Sequence, residues 1–321
     1  MKEKDLPIDR SKHAIYTKKA KQCVQKLLHR YYDEKTASEL WEKIQLQYAE
    51  FLKDEPALCG VKMTVSIYDP ILIFAWYVTV PDKPPLEDVQ QDVYDCFMSG
   101  FDVLGKVFDL NRRLDNRLAN KAFKRANDLR EKEIRAFPAS FRMGYYAYDR
   151  ANGVVRYSFT QCPNAEFAKR RHLEDVLPLM CNCDHLAMQK LHAALIREGT
   201  CGTSECCDYC IVGDRNPLAA NFENVKNEQG LIISRKRLTR KGAGNDIFSE
   251  DHEKERQIQG GDRPSAAEGA ERRPVAEGDG QAGLAAGAVH FPLRRRAFPY
   301  GKQDLSGCCH LSDFEREHRP K

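Results

Sequence analysis

The spacing of apolar residues changes once along this 321-residue chain, near Pro138, and that change limits the possible folds most strongly. Before Pro138, apolar residues recur every three or four positions, as they do on one face of an α-helix. After it, Phe141–Tyr148 and Val154–Thr160 are rich in aromatic and β-branched residues and flank the turn-like segment Asp149–Gly153. This pattern is typical of a β-hairpin. The sequence therefore predicts an α+β fold, with a helical N-terminal half packed with a small antiparallel β-sheet in the C-terminal half.

Apolar stripes predict helices in the N-terminal half around positions 20–31, 40–51, 86–98 and 114–129. Thr36 and Glu39 have the spacing of a capping box and are expected to begin the second of these helices. Asp69-Pro70 is typical of a helix start and favours a buried helix over Ile71–Val80, although the β-branched residues there leave a strand open. Along the long charged helix, one face carries Leu114, Leu118, Ala122, Ala126 and Leu129. That helix leaves an interaction protein as a further interpretation, against the simpler one of a solvated face.

Short helices at about 163–171 and 180–191 and a second strand pair, Ala193–Glu198 with Cys206–Val212, are expected to complete the fold. The predicted organisation is one hydrolase-like domain over residues 1–224, mainly helical to 138 and built from the antiparallel sheet with short helices over 139–224. Residues 225–321 are expected to form a disordered tail. Large aliphatic residues are sparse in its Gly-, Ala-, Glu-, Arg- and Pro-rich centre, so little apolar burial could offset the entropy cost of ordering it.

Charge and hydropathy exclude two classes of partner. The chain has 51 basic and 47 acidic residues, a formal charge of +4, without the concentrated basic stripe of a dedicated nucleic-acid binder. The longest apolar run, Ile71–Val80, is far shorter than the roughly 20 residues of a membrane-spanning helix. We therefore expect a cytoplasmic protein with a small-molecule substrate and neither nucleic acid nor membrane as partner; the sequence leaves the oligomeric state open.

Seven of the twelve cysteines lie between Cys162 and Cys210, and this density is the most informative chemical feature. In a reducing compartment such thiols are packed, metal-bound or reactive rather than paired as disulfides. Cys162 precedes Pro163 where a strand is expected to give way to a helix, and a thiol at a helix N-terminus can have a lowered pKa. The alternative is that Cys162 simply fills the corner between strand and helix.

A second cluster lies on one predicted helix face. Cys181, Asp184 and His185 are spaced i, i+3 and i+4, so a helix would place a thiol, a carboxylate and an imidazole together. Such a set can serve as nucleophile, orienting acid and base, or as metal ligands.

A third cluster lies on a predicted strand, where Cys207 and Tyr209 are expected to face the core and Asp208 the opposite side. Asp208 could meet the Cys181 helix or lie solvated on an edge. We expect no bound cofactor, although zinc held by Cys181, Cys183, Cys207 and Cys210 is an alternative. The chain has no phosphate-binding glycine loop, G-x-S-x-G or H-E-x-x-H motif, which excludes several large enzyme classes.

The segment from Cys162 to Asp214 resembles the L-2-amino-thiazoline-4-carboxylic acid hydrolase family of bacterial proteins. The matching residues are Cys162-Pro163, Cys181 with Asp184, Arg197, Thr200 and Cys207-Asp208-Tyr209. The loop Gly199–Glu205 departs from the Gly-rich turn that the family often carries. The Cys-Asp strand also looks like part of small-molecule-sensing domains of the vinyl-reductase type.

The resemblance implies hydrolysis of a small cyclic amidine-like substrate at a C–S or C–N bond, with N-carbamoyl-L-cysteine as the family's product. On this hypothesis Cys181 or Cys207 is the nucleophile or a polarising thiol, Asp184 or Asp208 the base and His185 a proton shuttle. Arg197 would bind the substrate carboxylate, with Cys162 and Thr200 also lining the substrate site. The alternative is a non-catalytic module that binds a small ligand or a metal in the same cysteine-rich pocket.

Overall fold

Helices make up the N-terminal half of the protein in the computed structural model, which describes residues 2–58 and 67–237. The helices are α1 (Lys18–Tyr31), α2 (Glu34–Lys53), α3 (Tyr68–Thr79), α4 (Leu86–Met98), α5 (Gly100–Leu104) and α6 (Arg113–Ala136). Together with the antiparallel sheet described below, they confirm the predicted α+β class. No helix within the described ranges has both the length and the apolar composition that a bilayer span requires.

The starts of two helices show how local sequence sets their bounds. The Thr17 hydroxyl accepts a hydrogen bond from the backbone N–H of Ala20 and caps α1. At α2 the predicted capping box is wrong: Asp33 is the cap, and its carboxylate accepts both the N–H and the hydroxyl of Thr36. A carboxylate has two oxygens for these two donors, so the helix begins three residues earlier than the Thr36–Glu39 spacing predicts.

The apolar segment after Asp69-Pro70 is a helix, which decides against the strand alternative. All residues of α3 from Tyr68 to Trp76 are buried, so the helix has no solvent-facing side along this stretch. Asp69 lies in the first turn and not at the cap. It accepts hydrogen bonds from the Thr17 N–H (2.6 Å) and hydroxyl (2.8 Å), which joins the start of α3 to the start of α1.

The leucine face of α6 points to solvent. Leu114, Leu118 and Leu129 are 66%, 45% and 39% exposed, while the buried positions of the helix include Asn116 and Ala119. The helix packs on the first two strands of the sheet, and the ring of its Phe123 stacks against the sheet.

Four antiparallel strands form the sheet, in the order β1-β2-β4-β3. They are β1 (Arg142–Tyr145), β2 (Val155–Gln161), β3 (Ala193–Ile196) and β4 (Cys207–Gly213). Both predicted hairpin pairings are confirmed, and β4 is buried along its whole length. One face of the sheet carries Tyr157, Cys207 and Tyr209 into the main core, and the other carries Ile196 and Cys210 into a small second core.

The connection between β2 and β3 contains α7 (Pro163–Arg171), α8 (Pro178–Cys181) and α9 (Cys183–Lys190). The single helix expected at 180–191 is therefore interrupted. Asn182 stands at the break, where its amide donates to the carbonyl of Gly230 (3.1 Å) and accepts the N–H of Ile232 (2.8 Å). These hydrogen bonds join the break between α8 and α9 to residues 230–232, which the sequence analysis expected to belong to the disordered tail.

That segment is ordered. After α10 (Pro217–Ala220), the strands β5 (Phe222–Lys226) and β6 (Ile232–Lys236) form a second antiparallel sheet. The folded part thus continues across the predicted boundary at 224. Ser234 of β6 exchanges hydrogen bonds with the backbone of Arg197, at 2.7 and 3.0 Å, and Leu231 enters the main core. The tail prediction for residues 238–321 lies outside the described residues.

Candidate functional site

A buried guanidinium, a carboxylate and a phenol meet between the sheet and α9. Asp184 comes from the first turn of α9, Arg197 directly follows β3, and Tyr209 points to the same side from β4. The Tyr209 hydroxyl donates to Asp184 Oδ2 at 2.8 Å, and Arg197 Nη1 donates to the same oxygen at 3.2 Å. Asp184 Oδ2 is therefore held by two donors.

Arg197 is fully buried and nearly all of its hydrogen-bonding capacity is used. Nη1 faces Asp184 and, at 3.5 Å, the Tyr209 hydroxyl, while Nη2 donates to the carbonyls of Cys181 (3.1 Å) and Ile232 (3.2 Å). Only Nε lacks a partner among the described residues. The guanidinium holds Asp184 in place, and this arrangement does not favour the expected role of clamping a substrate carboxylate.

Aromatic rings form the wall beside this cluster. Phe123 of α6, Tyr157 of β2 and Tyr209 of β4 are stacked in series, with ring centroids 4.6 and 4.5 Å apart. Phe159 meets Tyr209 edge-on at 5.7 Å, and the Arg197 guanidinium lies 5.6 Å from the Tyr209 ring centre. These rings and one cation thus pack beside the carboxylate that Tyr209 and Arg197 hold.

Asp184 is only partly covered by the protein. Its side chain keeps 29% of its surface exposed although its partner Arg197 has none, and burial is the main influence on its pKa. Oδ1 accepts no hydrogen bond within the described residues, which leaves this oxygen available to a ligand. Cys162 and Cys181 are also half-buried.

Electrostatics suit Asp184 to proton transfer. Burial raises its pKa above the ordinary 3.8, although Arg197 and the Tyr209 hydrogen bond partly offset this effect. Burial lowers the pKa of the Arg197 guanidinium, but Tyr209, Asp184 and the nearby thiols raise it by more, so the net shift is upward. Arg197 therefore stays charged, while Asp184 exchanges its proton closer to neutral pH than an exposed aspartate does.

Cys207 differs from the other candidate thiols, Cys162 and Cys181, in the direction of its pKa shift. A hydrogen bond from Cys201 lowers the pKa of Cys207, and Arg197 acts in the same direction. The backbone N–H of Cys201 lies 3.0 Å from Cys207 Sγ, and the Cys201 thiol lies 3.1 Å from the Phe159 carbonyl. The hydrogen bond to Cys207 and burial raise the pKa of Cys201, so Cys201 keeps its proton and Cys207 is the member of the pair that ionises.

The other candidate thiols are not activated. Cys162 does precede α7 with Pro163 at the first helical position, as predicted. Burial nevertheless raises its pKa to about 12, and the N–H groups of Ala165 and Asn164 do not compensate. Burial likewise raises the pKa of Cys181 well above its ordinary value. Both thiols stay protonated at neutral pH, and Cys162 fits the corner-filling interpretation.

Two further predicted site residues lie apart from Asp184. Asp208 projects from the opposite face of β4, and its carboxylate accepts the backbone N–H groups of Glu198 (3.0 Å) and Gly199 (2.6 Å). Thr200 is buried, and its hydroxyl lies 3.2 Å from that of Thr203. Both residues shape the loop between β3 and β4, and through Cys201 that loop positions the donor to Cys207.

His185 is buried and neutral. Its Nε2 lies 3.1 Å from the Ile232 carbonyl, while Nδ1 has no partner among the described residues. Burial and the nearby Arg197 lower its pKa to about 3. An imidazole with this pKa does not become an imidazolium near pH 7, and its one N–H faces the Ile232 carbonyl, so it is poorly suited to shuttling a proton.

The thiols proposed as zinc ligands do not share one place. Cys207 and Cys210 lie on opposite faces of β4, and the Cys183 thiol faces the Leu179 carbonyl and Gln90. Over residues 2–58 and 67–237, no group of three or more His, Cys, Asp or Glu side chains is arranged to hold a metal ion.

Three contributors to the site were not among the sequence candidates. Tyr157 shares a strand face with Phe159, so alternation along β2 could have found it. Cys201 falls in the loop before β4, within the cysteine-rich window. Ser234, which holds the backbone of Arg197, lies in the stretch assigned to the tail and carried no signal.

In comparisons with family models, curated proteins and solved structures, the chain matched none. The resemblance to the thiazoline-carboxylate hydrolase family thus stays a prediction from the residues between Cys162 and Asp214.

Proposed function

We propose that this protein is a hydrolase that opens a small cyclic amidine-like ring, in the manner implied by its resemblance to L-2-amino-thiazoline-4-carboxylic acid hydrolase. One observation carries the proposal: Asp184 has one oxygen held by Arg197 and Tyr209, while its other oxygen accepts no hydrogen bond among the described residues and the side chain stays partly exposed. A fixed carboxylate with a free oxygen is the natural partner of a planar N–C–N cation.

The aromatic wall suits the shape and charge of such a ligand. A protonated amidine is flat and cationic, and stacking on Tyr or Phe favours both properties. Ligand binding would place the positive charge next to Asp184 and stabilise its ionised form, which burial disfavours in the free protein. Substrate binding and ionisation of Asp184 are therefore coupled.

Cys207 is the proposed nucleophile. Its thiolate attacks the ring carbon between nitrogen and sulfur and forms a new C–S bond. The ring C–S bond then breaks, its electron pair leaves on the departing sulfur, and Asp184 relays a proton to that sulfur from the amidinium nitrogen. Water next adds to the same carbon and displaces Cys207, so the ring gains one water in total and the thiol is regenerated.

One observation favours the alternative of a non-catalytic ligand-binding module. Cys207 is only 5% exposed, so a ligand must come close to the sheet before the sulfur can reach it. A protein that binds the amidine but never turns it over would keep the Asp184 geometry and make no use of the thiolate. Binding and turnover must therefore be measured separately.

The experiment incubates the full chain with 2-amino-thiazoline-4-carboxylate and detects the ring-opened product by mass spectrometry. We expect Cys207→Ala and Asp184→Asn to lower the rate by about 100-fold or more. Asp128→Asn, which changes an exposed carboxylate of α6, and Cys181→Ala should retain most of it. Binding without turnover by the unaltered protein would support the module, and neither binding nor turnover would overturn both functions.

The cytoplasm is the proposed location. All nine cysteines that the structure describes are free thiols, and both Cys207 and its neighbour Cys201 must stay reduced for the proposed chemistry. A reducing compartment supplies that condition.

A further inference from the structure

A hollow lies at one end of the sheet, where the start of α6 meets the β1–β2 turn and the end of β4. Its volume is about 260 Å³. Four arginines line it: Arg113 and Arg117 from α6, Arg150 from the turn and Arg215 from the segment after β4. No aspartate or glutamate is among the described residues that line it. We propose that this hollow binds the phosphate group of a small phosphorylated molecule.

The charges of these arginines are mostly uncompensated. Arg113, Arg117 and Arg150 form no ion pair with any described residue. Arg215 lies 3.5 Å from Asp109 and 3.8 Å from Asp214, but its side chain is 73% exposed, so these pairs are weak. Several guanidinium groups around one hollow repel one another, and a bound anion would remove that repulsion.

Carboxylates near the hollow are engaged in holding the chain around it. Asp109 accepts the N–H and the side-chain amide of Asn111 at 2.9 and 2.8 Å, and Asp214 accepts the same amide at 2.8 Å. Asp149 accepts the backbone N–H groups of Ala151 and Asn152, both at 3.0 Å, inside its own turn. These carboxylates fix the loop before α6 and the β1–β2 turn, and the surface that lines the hollow carries the charges of the arginines.

Buried amide groups make the floor of the hollow rigid. Asn116 is 3% exposed; it donates to the carbonyls of Gly153 (2.9 Å) and Leu110 (3.4 Å) and accepts from the Tyr148 hydroxyl (2.7 Å). At Gly213 an added Cβ would lie 2.3 Å from Asn111 Oδ1, so the chain segments are in close contact. A rigid frame lowers the entropy cost of binding a ligand.

The geometry favours phosphate over other ligands. Guanidinium groups bind phosphate oxygens through paired N–H donors, and the N-terminal end of the 24-residue α6 adds the positive end of its dipole. The volume lies just below the range of pockets for drug-sized ligands, so it suits a phosphate with a small organic group. A concave site of this size is also a poor fit to a nucleic-acid strand, which needs an extended track.

Isothermal titration of the full chain with inorganic pyrophosphate, at constant ionic strength, tests the proposal. We expect saturable binding that weakens about 10- to 100-fold in Arg117→Gln and in Arg150→Gln, the range for losing a charge-assisted hydrogen bond. Arg125→Gln is the matched control, because Arg125 is exposed on the same helix and does not line the hollow. It should bind within about twofold of the unaltered protein.

Four results would overturn the proposal: no saturable binding below about 1 mM, equal affinity in all arginine variants, tighter binding of citrate than of pyrophosphate, or tighter binding of a single-stranded oligonucleotide. Thermal melting of each variant, followed by circular dichroism, shows whether a loss of binding reflects a loss of fold. Asp184→Asn should leave pyrophosphate binding unchanged. The phosphate-site proposal and the hydrolase proposal can therefore be refuted independently.

Discussion

Replacing Arg197 with methionine removes the donor at the centre of the site. Four acceptors lose a partner: Asp184 Oδ2, the Tyr209 oxygen and the carbonyls of Cys181 and Ile232. Since Arg197 is fully buried, water cannot replace it without entering the core. Breaking a buried ion pair by removing one member costs about 3–5 kcal/mol, a large part of the 5–15 kcal/mol that holds a typical domain together.

Urea unfolding of the full chain, followed by far-ultraviolet circular dichroism, measures this loss. Arg142→Met is the control, because Arg142 is exposed at the start of β1 and should change stability by less than about 0.5 kcal/mol. Asp184→Asn should lower the free energy of unfolding less in the Arg197→Met variant than in the unaltered protein, since the carboxylate has already lost its cation. A loss under about 1 kcal/mol for Arg197→Met, or strict additivity of the two changes, would refute the coupling.

Three further predictions address other parts of the molecule. Burial lowers the pKa of His185 from 6.5 to about 3, so the stability that neutral His185 contributes is present above pH 6.5 and is lost as the pH falls toward 3. Relative to His185→Gln, the protein should lose up to about 1.4 kcal/mol of unfolding free energy per pH unit in urea unfolding. Plots of unfolding free energy against pH that run parallel for the two proteins would contradict this. Cys96→Ala first removes the other thiol whose pKa is lowered. In that background, thiolate absorbance near 240 nm should show a group titrating below 9.0 that disappears on adding Cys207→Ala and persists on adding Cys162→Ala; a titration unchanged by Cys207→Ala would contradict the assignment. Gly213→Ala would place Cβ 2.3 Å from Asn111 Oδ1 and 3.0 Å from its Cα and should destabilise by about 1–3 kcal/mol, whereas Gly100→Ala meets no atom within 4 Å and should not; equal effects would show that the contact is absent.

Much of the fold follows from local patterns in the sequence. The apolar stripe of α1, the turn between β1 and β2 and the alternation along β4 each depend on neighbours within a few residues, so they could be predicted. The same alternation correctly put Cys207 and Tyr209 on the core side. The alternation could not show which side of the sheet α9 covers. Because α9 covers the side that carries Tyr209, this residue and not Asp208 meets Asp184.

Contacts between distant segments account for the parts that sequence reasoning missed. The break between α8 and α9 depends on Asn182 bonding a hairpin about 50 residues away, in a stretch with no apolar pattern strong enough to indicate strands. The pKa values of Cys162 and Cys181 depend on burial by the whole core. At Cys162 this burial outweighs the local helix-terminus effect that its position suggests. The cap at Asp33 could have been predicted, because Asp33 lies three residues before Thr36 and aspartate is a preferred N-cap residue.

The most direct test of the central claim is a carbon-13 NMR titration of the Asp184 carboxyl, assigned by its absence in Asp184→Asn. We expect a pKa above 3.8 in the free protein and a clear fall when 2-amino-2-thiazoline is added at saturating concentration, because the amidinium stabilises the carboxylate. A free-protein value below 3.8, or a value that the ligand leaves unchanged, would contradict the claim that Asp184 binds the substrate.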